Sequence, residues 1–168
     1  LHADFTTTNQ IEIPGAIVLM GNIEAQHDSM YIYCNKAYFF QEENYIKLFG
    51  NVHIIQNDTL SLNSKYAEYN GKDGIAYASG SVLMKSPDSS LTSETVYYDR
   101  NNGVAYYNDN ATIVNKLNTL KSKTGKYFTN DQRFEFRTQV IITNPGYVIK
   151  SDHLDFYEFS GHSYFFGP

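Results

Sequence analysis

The residues able to do chemistry in this chain are few, and their spacing does not support it. The five histidines are His2, His27, His53, His153 and His162, and none stands at a metal-ligand spacing such as His-x-x-x-His. Asp152 and His153 are neighbours, but adjacent side chains of an extended strand point to opposite faces. His153 also precedes the apolar Leu154, so it is expected to face solvent. No Gly-x-Ser-x-Gly elbow and no glycine-rich phosphate loop occurs. Glu42, Glu43, Asp88 and Asp99 fall in or near turns and read as solvated surface. Cys34 is the single cysteine, which precludes an intrachain disulfide and reads as a semi-buried structural residue. A carbohydrate-active β-solenoid enzyme would need clustered acidic or basic catalytic residues along one face, and no such cluster repeats. These patterns predict no catalytic residue, no metal, no cofactor and no enzyme activity.

What repeats is an alternation of apolar residues around a small or polar one. Its centres are Gly21, Gly50, Gly80, Asp109, Thr138 and Gly167, spaced by 29, 30, 29, 29 and 29 residues. A second pattern runs between them, [Leu/Ile]-x-[Ser/Cys]-x-x-[small or aliphatic]-x-[Tyr/Phe]. Its copies are Ile32-Cys34-Ala37-Phe39, Leu62-Ser64-Ala67-Tyr69, Leu91-Ser93-Val96-Tyr98, Leu120-Ser122-Gly125-Tyr127 and Ile149-Ser151-Leu154-Phe156. Two interleaved patterns on one period make an internal repeat. Each alternation of period two reads as a strand with one buried face. The aromatic share of 15% fits pleated surfaces.

Glycine at the same point of each first-pattern strand reads as a corner. Asp109 and Thr138 depart from it, which leaves the sharpness of the later bends open. In the second pattern the spacing of three between Ser64 and Ala67 predicts a bulge and a bend there too. Turn segments such as Asn70–Gly74, Asn101–Gly103 and Asn144–Gly146 separate the strands. This places eleven strands near 16–26, 30–40, 45–56, 60–70, 75–85, 90–99, 104–115, 119–128, 132–143, 147–158 and 162–167. Consecutive strands with tight turns pair antiparallel. Bent at the middle, the meander folds into two facing sheets with apolar residues between them. The expected fold is all-β, an elongated antiparallel β-jellyroll or two-sheet sandwich of about 29-residue repeats, open at the ends. Residues 1–15 form an N-terminal segment, and 16–168 a single repeat domain broken off within its sixth copy.

The net charge of -5 with scattered basic residues argues against nucleic acid as a partner. No stretch approaches the ~18 apolar residues of a membrane helix. Leu1 to Gln10 lacks the basic and apolar regions of a signal peptide.

The rhythm of Gly50-Asn51-Val52 and Gly80-Ser81-Val82, followed by Asp58-Thr59-Leu60 and Ser64-Lys65-Tyr66-Ala67-Glu68-Tyr69, resembles the OstA/LptA-like family. These are periplasmic proteins of lipopolysaccharide export in Gram-negative bacteria. The aromatic- and Asn-rich version here is most similar to OstA-like proteins of the Bacteroidetes type. The resemblance covers the chain from about Ala16 to Gly167. It implies a periplasmic location, with any signal peptide removed or omitted. It implies a jellyroll whose interior takes the acyl chains of lipid A. It also implies partners among the lipopolysaccharide-transport proteins at the exposed end strands, and end-to-end self-association.

Under that reading the lipid-contacting candidates are the inward residues Ile32, Phe39, Leu48, Val52, Ile54, Leu62, Tyr69, Val82, Met84, Leu91, Val96, Tyr98, Tyr107, Ile113, Leu120, Tyr127 and Phe136. The competing expectation is a structural, self-assembling sandwich with a sealed core, in which each of these is plain core.

Overall fold

The computed structural model describes residues 2–7, 13–27, 29–57, 59–157 and 159–167. Asp58 of the family-like motif and Pro168 lie outside them. The strands are β1 (Phe5–Thr7), β2 (Ala16–His27), β3 (Met30–Phe40), β4 (Tyr45–Gln56), β5 (Leu60–Asn70), β6 (Ile75–Lys85) and β7 (Ser89–Asp99). They continue as β8 (Val104–Tyr107), β9 (Ala111–Asn115), β10 (Thr119–Ser122), β11 (Thr124–Phe128), β12 (Arg133–Asn144), β13 (Tyr147–Tyr157) and β14 (His162–Phe166). All neighbours pair antiparallel in one continuous sheet.

The sheet folds over along a line of corners. Every long pair shifts register there, for example between Phe49 and Val52 of β4 and between Ser79 and Val82 of β6. In each case the first-pattern strand holds one residue more than its partner. Gly50 and Asn51 together oppose Lys65, and Gly80 and Ser81 oppose Glu94. The extra residue expected in the second pattern therefore sits in the first. Two successive left-handed residues make the turn: φ is 72° and 48° at Gly50 and Asn51, and 83° and 56° at Gly80 and Ser81. Glycine is needed at the first position for a second reason as well. A Cβ at Gly50 would lie 2.9 Å from the Asn35 amide nitrogen, and one at Gly80 2.7 Å from Lys65 Cβ.

The two departures from glycine behave differently. Thr138 and Gln139 take the same left-handed pair, at φ 65° and 56°, so β12 bends like the earlier copies at the expense of strain in a β-branched residue. At Asp109 only the following Asn110 is left-handed, at φ 51°. There the strand expected at 104–115 breaks into β8 and β9, and its partner expected at 119–128 breaks into β10 and β11. β7 spans the break by pairing with both β8 and β9. Ahead of β2, Phe5–Thr7 adds a short edge strand paired with Val18–Met20.

The two half-sheets face each other. Ile17 and Ile46 from one half pack into the same core cluster as Ile32, Ile54, Leu62 and Met84 from the other. A second cluster around Tyr107, Phe136, Val140 and Leu154 follows, and Leu91 packs against both. The high aromatic content is explained on the opposite, outward face. Tyr38, Phe49, Tyr66, Tyr77, Tyr97 and Tyr106 form a cross-strand ladder with ring centroids 4.9, 5.1, 6.2, 4.8 and 5.0 Å apart. Such pairs stiffen a sheet from outside. The Glu68 carboxylate accepts hydrogen bonds from the Tyr45 and Tyr66 hydroxyls within it.

Candidate functional site

The interior is most deeply buried at the corner and less covered toward the strand tips, where it forms a groove. The corner is built from small and β-branched residues in alternation. Ile23 pairs with Cys34, Val52 with Ser64, Val82 with Ser93, and Val140 with Ser151. Val52, Val82 and Val140 are each 1% exposed. Burying such a side chain stabilises the fold by about 1.5–3 kcal/mol, so this line is core.

The hydroxyls in that line serve the backbone. Ser64 Oγ donates to the Tyr66 carbonyl at 3.0 Å, Ser122 Oγ to Thr124 at 3.1 Å and Ser151 Oγ to His153 at 2.6 Å. The Cys34 thiol points at the Lys36 carbonyl in the same way, at 3.5 Å. Each reaches two residues on, to a carbonyl next to the interrupted ladder. Burial pushes the Cys34 thiol pKa up, which keeps it an unreactive thiol. The fixed Ser/Cys position was visible in the sequence, but its task was not.

Further from the corner the walls are apolar and less covered. One half-sheet presents Ile32, Ile54, Leu62, Met84, Leu91, Ile113 and Leu120, all half-buried. The other presents Phe39, Tyr69, Tyr98 and Tyr127, of which Tyr98 is 38% exposed. The remaining candidates, Leu48, Val52, Val82, Val96, Tyr107 and Phe136, are buried at or near the corner. The seventeen thus divide into a corner set and a mouth set. Phe134, Ala105 and Gly125 were not among them, yet they line an opening in the groove. Their signal was the same alternation, in register with Tyr127, Tyr98 and Tyr107.

That opening is a cleft of about 140 Å³ in the fourth repeat. Met84, Leu91 and Ile113 lie on one side and Ala105, Tyr107, Phe134 and Phe136 on the other. The Tyr107 hydroxyl and Ser122 Oγ are 2.5 Å apart, and burial pushes the Tyr107 pKa up to about 12. The ring lies over Gly125, where a Cβ would meet its Cζ at 2.5 Å.

Among the described residues no group of three His, Cys, Asp or Glu could hold a metal ion. His153 is exposed beside Asp152 on β13. Among the described residues the arrangement offers an apolar, half-open interior and no reactive constellation.

A sequence profile of OstA-like proteins matches residues 1–152. The chain belongs to the OstA-like family. Among solved structures, this OstA-like chain is similar to LptH, the LptA-homologous periplasmic component of the lipopolysaccharide transport device of Pseudomonas aeruginosa. The match has a TM-score of 0.58 at 19% identity and covers 65% of this chain and 82% of LptH. At that identity the likeness establishes a shared β-jellyroll fold. A search of curated protein sequences finds no significant match.

Proposed function

We propose that this OstA-like protein is a non-enzymatic periplasmic module of lipopolysaccharide transport to the outer membrane, and that it holds lipid A acyl chains in its groove. One observation carries the reading: apolar side chains face each other across the mouth without closing it. Leu62, Met84 and Leu91 stay half-buried opposite Tyr69 and Tyr98. A contiguous apolar lining left open to solvent calls for an apolar occupant. Each acyl methylene buried there would contribute about 0.8 kcal/mol. Family membership and the jellyroll shared with a periplasmic transport component support the same reading.

An aromatic strand at the edge of the described sheet supports the bridging part of the role. On β14, Tyr164, Phe165 and Phe166 are 51%, 41% and 50% exposed. Among the described residues β14 pairs with β13 alone. A strand at a sheet edge can pair with a strand from another transport protein or a second copy.

A photo-crosslinking residue at Tyr69, Tyr98 or Tyr127 tests the lipid reading. Lipopolysaccharide should be captured from these positions and not from the outward Tyr77 or Thr92. Capture from the outward positions alone, or from none, would leave the sealed structural module as the better account.

A further inference from the structure

The groove is not uniform along its length. Where β4 carries Ile46 and Leu48 and β12 carries Phe134 and Phe136, β6 carries Ala76 and Ala78. On β8 the corresponding pair is Ala105 and Tyr107. The wall is therefore low through β6, and it rises abruptly at Tyr107. The 140 Å³ cleft lies beside Tyr107, lined on this wall by Val96 of β7, Ala105 and the buried Tyr107 of β8, and Phe134 and Phe136 of β12. Dry apolar cavities of about 150 Å³ take up ligands the size of benzene, so the cleft matches the end of a hydrocarbon chain.

The Tyr107 ring is held on two sides. Gly125 lets it lie flat on β11. Its hydroxyl is tied to Ser122 on β10, and Ser122 is tied to the backbone at Thr124. Swinging the ring away would break the buried hydroxyl's bond to Ser122.

We propose that the cleft takes the methyl end of one acyl chain and that Tyr107 is a specificity-determining stop, setting how long a chain the site accepts. The inference rests on the acyl-binding reading of the groove above.

Displacement of an apolar fluorescent dye from the whole chain, by straight-chain fatty acids of increasing length, tests it. Affinity should rise about fourfold with each added carbon until the chain meets Tyr107, and then level off. Tyr107→Ala should move the levelling point to longer chains. Met84→Phe, which narrows the cleft from the half-buried opposite wall, should move it to shorter ones. If circular dichroism shows Tyr107→Ala unfolded, Tyr107→Leu and Met84→Phe decide. Binding without a plateau, or an unmoved plateau in the folded variants, overturns Tyr107 as the stop and leaves the lipid groove standing. No displacement by any chain removes the groove reading, and this inference with it.

Discussion

Ser64 and Tyr66 are joined by a 3.0 Å hydrogen bond from the serine hydroxyl to the tyrosine carbonyl. The bond sits where the ladder between β5 and β6 is interrupted. Folding over the sheet removes a regular cross-strand partner, and the side chain two residues back supplies one. Ser64→Ala should therefore cost about 1–2 kcal/mol. Ser64→Cys should cost less, because Cys34 already occupies the equivalent position. Urea denaturation checks both, with a lowered midpoint at an unchanged slope. An unaltered midpoint for Ser64→Ala would remove the hydroxyl's role at the corner.

Thr138 holds a φ of 65° at an exposed site. A β-branched residue is strained there by about 1–2 kcal/mol. Thr138→Gly should relieve that strain, less roughly 0.5–1 kcal/mol for the freedom glycine regains on unfolding. The net expectation is a gain of about 0.5 kcal/mol, read as a small rise in melting temperature. The reverse change, Gly50→Thr, should destabilise by more, because its Cβ would also press on Asn35.

Tyr107 makes stability depend on pH at the alkaline end. Its folded pKa is raised to about 12, mainly by burial, from an unfolded value of about 10. The folded state thus holds this proton more tightly than the unfolded state. The contribution is complete below pH 10, and it falls as pH climbs from 10 through 12. The full loss is about 2–3 kcal/mol. Tyr107→Phe should start about 1 kcal/mol lower at neutral pH, for the lost Ser122 bond, and fall less steeply above pH 10. Denaturation curves at several alkaline pH values separate the two proteins, and parallel declines would contradict the assignment.

Cys34 is 4% exposed, and its pKa is raised. The native thiol should resist alkylation at neutral pH and react fully once the chain is unfolded in urea. The reaction rate then reports opening of the corner between β2 and β3, and it should rise in Ser64→Ala only if the corners open together.

The strand limits of β2 to β7 and the corners at Gly21, Gly50 and Gly80 are readable from the chain alone. Side-chain alternation is a local property of a strand, and glycine at every twenty-ninth or thirtieth residue marks where the backbone turns left-handed. The all-β, repeat-built jellyroll follows from those two facts. Which strand carries the extra residue at each corner was not readable, because a bulge exists only relative to a paired neighbour. Asp109 and Thr138 looked alike as departures from glycine, yet Thr138 is forced into the corner and Asp109 breaks the strand. That difference depends on the neighbouring strands that hold or fail to hold the strained residue. The division of the seventeen inward candidates into corner core and open mouth was likewise settled only in three dimensions. Alternation says which face a residue is on. Its burial depends on how far the opposite half-sheet stands away, and that distance is set by the summed volumes of side chains such as Ala105 and Tyr107 on one half meeting Met84, Leu91 and Ile113 on the other.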